Sequence, residues 1–149
     1  MNLLQSQLIS LTDGVPYAVT NLANASALLY QSLPDLNWAG FYLYKDGVLV
    51  LGPFQGKTAC TVIPLNKGVC GAAATRGETL VVPDVHAFPG HIACDSASRS
   101  EIVIPLYVGG ELYGVLDIDS PLPNRFTRED KTVLESFAQT LCQILCTNI

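Results

Sequence analysis

Cys60, Cys70 and Cys94 are the residues of this chain best suited to covalent chemistry. A thiolate is a strong nucleophile, and the sulfenic acid it leaves after attacking an S–O bond condenses with a second thiol. That reaction needs one attacking and one resolving cysteine, and these three could supply both. The plainer reading of a cysteine is a small, easily buried apolar residue, and it fits Cys142 and Cys146, one turn apart on an apolar helix. Cys94, beside Asp95 and Ser96 in a polar stretch, suits burial less well. Five cysteines cannot all pair within one chain. In a reducing compartment, any disulfide among them is more naturally transient and catalytic than structural.

Zinc would compete for the same atoms. Cys60, Cys70, His86, His91 and Cys94 offer enough sulfur and nitrogen, but structural zinc sites bring closely paired ligands, and these cysteines are far apart. His86 and His91 could equally order a loop through hydrogen bonds or sit beside the site. Asp117 and Asp119 are two apart in a strand-like run and so share a face, with Leu116 and Ile118 on the other. If that face is partly buried, one carboxyl stays protonated and can polarise an oxygen, while the other holds an ammonium. If it is wet, the acids merely solvate a strand end.

The elements that must carry these residues follow from the pattern. Leu4, Leu8 and Leu11, then Val19, Leu22, Ala25 and Leu29, keep a helical period broken at Asp13-Gly14-Val15-Pro16, which predicts two N-terminal helices. Trp38–Tyr44 and Val48–Phe54 flank Asp46-Gly47, a strong hairpin signal. Cys60–Ile63 reads as a short strand, and Gly68–Arg76 as an alanine-rich helix stopped at Gly77. Thr79–Val82 returns to the sheet. Residues Asp84–Ser100 have no period of their own, and a loop this long in a compact domain is usually a lid or a binding loop. Glu101–Val108 and Glu111–Asp119 form a second hairpin around Gly109-Gly110, and Thr127 with Asp130 opens a final helix bearing Val133, Leu134, Phe137, Leu141 and Leu145. Hairpins with helices grouped at the chain ends indicate an α+β domain.

Composition narrows the function classes. The chain has 149 residues, enough for one domain over 1–149 with its own core. Hydrophobic residues are 49% and charged residues 14%, the balance of a globular protein. A net charge of −5, with no basic residue before Lys45, argues against a nucleic-acid or anionic-membrane partner. No signal-peptide pattern and no membrane-length apolar run is visible, so a cytoplasmic location is expected.

Trp38-Ala39-Gly40-Phe41-Tyr42, Cys60-Thr61-Val62-Ile63-Pro64, Gly68-Val69-Cys70-Gly71, the run from Asp84-Val85-His86 through His91-Ile92-Ala93-Cys94-Asp95-Ser96 to Glu101, and Gly114-Val115-Leu116-Asp117-Ile118-Asp119 together resemble the free methionine-(R)-sulfoxide reductases, small GAF-domain enzymes. The resemblance spans nearly the whole chain. It implies a GAF-like antiparallel sheet with N- and C-terminal helices packed on one face and loops plus a short helix over the other. It implies Cys94 as the attacking cysteine, Cys60 as the resolving one and Cys70 as a further pocket thiol. Glu101, Asp117 and Asp119 match its acids, and Trp38 and Tyr42 match its aromatic pocket walls. It further implies no metal or organic cofactor, a thioredoxin-type reductant as electron donor, and a homodimer. Two other readings stay open: a GAF module that senses a small ligand or redox state without catalysis, and a zinc-thiolate protein.

Strand arithmetic adds a geometric condition. A two-residue Gly109-Gly110 turn pairs Val108 with Glu111, and regular pairing would then set Glu101 opposite Ile118, on the wrong face. For the three acids to meet, the hairpin must have an odd loop or a bulge further along.

Overall fold

Two tight hairpins generate the sheet. In the computed structural model, which describes residues 1–91, 94 and 96–149, β1 (Trp38–Lys45) and β2 (Val48–Gly56) turn at Asp46-Gly47, and β5 (Ser100–Val108) and β6 (Glu111–Ser120) turn at Gly109-Gly110. Strands β1 and β6 pair in the middle, and short edge strands β3 (Val62–Pro64) and β4 (Leu80–Val82) complete a six-stranded order β3-β2-β1-β6-β5-β4. Every neighbouring pair is antiparallel.

The helices α1 (Leu3–Thr12), α2 (Ala18–Ser32) and α4 (Arg128–Leu145) cover one face. Helix α1 starts at a capping box of Asn2 and Gln5, and α4 at the expected one, with Thr127 and Asp130 each accepting from the other's backbone N–H. Leu8, Leu22, Leu29, Leu134, Phe137 and Leu141 pack there onto Ala39, Phe41, Ile102, Ile104, Leu116 and Ile118. On the other face lies α3 (Gly68–Arg76), with Val69, Cys70 and Ala73 against Tyr42, Val103 and Val115. This is the α+β arrangement expected.

Three expectations are corrected in detail. Leu11 and Val19 keep the helical period but are exposed, because the core-facing stripes of α1 and α2 are narrower than the apolar pattern. The strand expected at Cys60–Ile63 starts at Val62: the Thr61 carbonyl still accepts from the Leu51 N–H of β2, but the Cys60 carbonyl turns to the Tyr42 hydroxyl of β1. The long Asp84–Ser100 segment contains a short 3-10 turn, Val85–Ala87, capped by Asp84, and it is tied down by Val85 to Arg99, Gly68 to Gly90 and Arg99 to Ser120 backbone bonds.

Candidate active site

Register brings the acids together. Trp38 pairs with Asp119, Gly40 with Asp117 and Tyr42 with Val115, so these side chains share the face away from the three long helices. The Gly109-Gly110 turn is the two-residue one, pairing Val108 with Glu111. Pairing then slips between Tyr107 and Leu106: Tyr107 faces Leu112 and Leu106 faces Gly114, leaving Tyr113 as the extra residue of a bulge. Beyond it Glu101 pairs with Asp119 and Val103 with Asp117. The condition set by strand arithmetic is met by its second option, a bulge further along.

The cavity on this face is lined by Trp38, Tyr42, Cys70, Cys94, Glu101, Asp117 and Asp119, with Lys67, His91 and Ser98 at its margin. Cys60 and Cys94 are joined in a disulfide, with Cα atoms 5.4 Å apart, inside the ordinary range. Cys70 is a buried free thiol. The structure thus brings all three site cysteines to one place. Ile92, Ala93 and Asp95, which belong to the quoted motif, lie outside the described residues.

One side of the cavity is an aromatic wall. Trp38 stacks on Tyr42 at 5.8 Å between centroids and on Phe54 at 5.1 Å. Gly40 between them is required by space: a Cβ there would lie 2.3 Å from the Phe54 Cβ and 2.9 Å from the Trp38 ring. The polar ends of both rings leave the cavity and donate to backbone carbonyls, Trp38 Nε1 to Lys57 at 3.1 Å and Tyr42 Oη to Cys60 at 3.0 Å.

Beside the wall on the same sheet face, Glu101, Asp117 and Asp119 are 7%, 6% and 7% exposed. Among the described residues, neither Glu101 nor Asp117 pairs with a cationic side chain. Burial pushes the Glu101 carboxyl well above the usual carboxylate range, and the neighbouring Asp117 charge adds to this. Burial also raises Asp117, reinforced by Asp119, while hydrogen bonding with Glu101 and Cys70 pulls the other way. Burial and the repulsion of the three acids hold the Cys70 thiol protonated. Asp117 Oδ1 is buried without a hydrogen-bond donor among the described residues. Buried this closely together, these carboxyls do not readily ionise at the same time, and the cluster keeps protons.

Those atoms define where a metal could sit. The Cys70 Sγ and one oxygen each of Glu101 and Asp117 lie within 4.8 Å of one another. The wider set considered for zinc is not assembled here, because Cys60 and Cys94 are bonded to each other. His91 borders the cavity, with its ring 6.3 Å from that of His86, and burial lowers its pKa, with the His86 charge adding to this.

The GAF domain family model matches residues 15–145. The free methionine-R-sulfoxide reductase of Escherichia coli is 54% identical over 93% of this chain and 84% of its own length. That of Saccharomyces cerevisiae is 49% identical over 88% of this chain and 77% of its own. The chain belongs to the free methionine-R-sulfoxide reductase family. A solved fRMsr of Staphylococcus aureus, in complex with substrate, superposes with a TM-score of 0.91 at 47% identity, covering 96% of this chain and 94% of that one.

For a reductase of this family, some of the site lay outside the sequence reading. Lys67 and Ser98 border the cavity, and Asn37 donates to the Ser98 hydroxyl at 3.0 Å, joining the start of β1 to the loop after Cys94, whereas His91 lies beside the site as one of its two sequence readings had it. Gly40, alternating with Trp38 and Tyr42 on one strand face, was the available signal for stacked rings. Cys142 and Cys146 stand apart from the cavity. Their expected burial is corrected: Cys142 is half-buried beside the helix-side core, and Cys146 is exposed as the C-cap of α4, where the helix ends and nothing packs over it.

Proposed function

We propose that this chain reduces free methionine-(R)-sulfoxide to methionine, with Cys94 as nucleophile and Cys60 as resolving thiol. The observation that carries the reading is the Cys60–Cys94 disulfide at a cavity lined by three buried acids. The membership of the family supports the substrate, and the buried acids suit its free α-ammonium, a group that a peptide-bound residue lacks.

In the reduced protein the ammonium enters among Glu101, Asp117 and Asp119, and its charge draws protons off carboxyls that were neutral in the empty pocket. Trp38 and Tyr42 offer an apolar face to the S-methyl and side-chain carbons. The Cys94 thiolate attacks the sulfoxide sulfur, and a carboxyl that is still protonated gives the oxygen its proton. The methionine S–O bond breaks as the hydroxyl passes to Cys94 Sγ, the new Sγ–S bond breaks with its electron pair left on the methionine sulfur, and methionine departs from Cys94 sulfenic acid. Cys60 then displaces water from that sulfenic acid to give the disulfide, and Cys70 is close by as an alternative thiol. With the disulfide formed the cavity measures about 50 Å³, against roughly 300–1,000 Å³ for ordinary ligand pockets. The oxidised form is therefore read as the end of a turnover, awaiting a reductant.

A dithiol protein of the thioredoxin type fits that last step, supplying two electrons and two protons to regenerate Cys60 and Cys94. A homodimer, which the family resemblance implies, is part of the same proposal. No helix among the described residues is long and apolar enough to cross a membrane, and thiol chemistry of this kind suits the cytoplasm. The chain acts as one catalytic unit over 1–149.

The deciding experiment incubates the protein and thioredoxin, or a small dithiol, with each epimer of free and N-acetylated, amidated methionine sulfoxide. Methionine from the free R epimer alone supports the reading. Equal rates on both epimers, or faster reduction of the blocked form, would overturn it, and absence of turnover would favour a sensing module.

A further inference from the structure

The aromatic wall does a second job. Segment 57–60, which carries Cys60, runs between β2 and β3 without regular structure. Gly56 lets it leave β2 against the Trp38 ring, since a Cβ there would lie 2.7 Å from Trp38 Cδ1. The segment is then held at both ends by side chains of one strand: the Trp38 indole N–H donates to the Lys57 carbonyl and the Tyr42 hydroxyl to the Cys60 carbonyl. We propose that Tyr42, assisted by Trp38, is a positioning residue for Cys60, holding the resolving thiol within reach of Cys94 when no disulfide does so. The inference rests on the reductase reading above and assigns these residues a role in the second chemical step.

The two rings are suited to the task. Stacked on each other and fixed in the core by β1, they lose little freedom when they bind the segment. Burial and the nearby acids keep the Tyr42 phenol protonated, so its O–H remains a donor at any working pH. Resolution of a sulfenic acid within one chain depends on the local concentration of the second thiol, and a loosened segment dilutes it.

The test compares wild type with Tyr42→Phe, which keeps the ring and loses the donor. Fully reduced proteins are mixed with free methionine-(R)-sulfoxide in the absence of reductant, and methionine release and disulfide formation are followed separately. The expected result is disulfide formation slowed by about tenfold relative to methionine release in the same protein, with the accumulating sulfenic acid trapped by a dione reagent. In glutathione buffers, the Cys60–Cys94 equilibrium shifts by about tenfold toward dithiol, equal to about 30 mV for a two-electron couple. Trp38→Phe shifts it the same way by roughly threefold, and decides alone if Tyr42→Phe does not fold. Disulfide formation that keeps pace with release, with an unmoved glutathione equilibrium, overturns the proposal. If wild type releases no methionine, the reductase reading fails by itself, and the glutathione equilibrium still judges the placement of Cys60.

Discussion

The two faces of one sheet obey opposite rules. On the helix side, Ala39, Phe41, Ile102, Ile104, Leu116 and Ile118 make an apolar layer that α1, α2 and α4 cover. One residue along each strand, the other side presents Trp38, Gly40, Tyr42, Glu101, Asp117 and Asp119, with three buried acids and no ion pair to Glu101 or Asp117 among the described residues. The first face is built for stability. The second gives up some of it to bury three acids beside the Cys60–Cys94 disulfide and the Cys70 thiol.

The largest expected effect lies on the pocket face. Cys94→Ser is expected to lower turnover by more than about 10³-fold, since a serine hydroxyl is a poor nucleophile toward sulfoxide sulfur. The reduced variant should melt within a few degrees of reduced wild type. Methionine formation at high enzyme concentration checks this, and a full equivalent released by the variant would show that another thiol attacks.

Next comes a pair that separates the faces. Phe41→Ala, buried under the helices, is expected to cost about 3–5 kcal/mol in denaturant unfolding while activity per folded molecule is kept. Asp117→Asn should do the reverse, lowering kcat/KM by roughly 10²-fold through the lost partner for the ammonium and stabilising the empty fold. The pH dependence has a definite sign. The folded-state carboxyls of Glu101 and Asp117 are raised, so the folded chain holds more protons than the unfolded one above the ordinary carboxylate range. Their contribution is fully present below their unfolded values and is lost as pH rises through the folded ones. Unfolding of substrate-free protein at pH 5 and pH 8 measures the loss, and Asp117→Asn should flatten it. An unchanged slope would mean that these acids are ionised in the empty pocket.

How much of this contrast was legible follows from what encodes each face. Alternation along Gly114–Ser120 placed Asp117 and Asp119 together and Leu116 and Ile118 opposite, because a strand's period is local. Glu101 was different. Its face depends on one extra residue at Tyr113, and bulge placement is settled by how Gly114 packs beside the Tyr42 backbone on β1, a contact between strands far apart in sequence. The tether from Tyr42 to Cys60 was invisible for the same reason. The helix stripes misled at Leu11 and Val19, where apolar spacing continued past the buried surface. The cysteine roles came from family likeness; nothing in the spacing of Cys60, Cys70 and Cys94 distinguishes attacker from resolver.

A smaller effect divides the catalytic cycle. Cys60→Ser should still release about one methionine per chain from fully reduced protein, then stall with reductants that act only on disulfides. Cys70 will rescue a fraction if its side chain can reach the sulfenic acid. Release far below one equivalent would place Cys60 in the first step as well.

The smallest effects belong to the helix side, where Cys142 and Cys146 test whether that face takes any part in the chemistry. Cys146 is exposed, and its replacement by alanine should leave stability within about 0.5 kcal/mol. Cys142 is half-buried beside the core, where burial raises its thiol pKa, and Cys142→Ala should cost about 1 kcal/mol for the lost contacts. Neither should alter turnover. Alkylation of the reduced protein sharpens the point: Cys146 should react before Cys142, and Cys70, sealed among the acids with its thiol held protonated, should react last. A tenfold loss of turnover in folded Cys142→Ala, or Cys70 labelling ahead of Cys142, would break the division between a face that packs and a face that reacts.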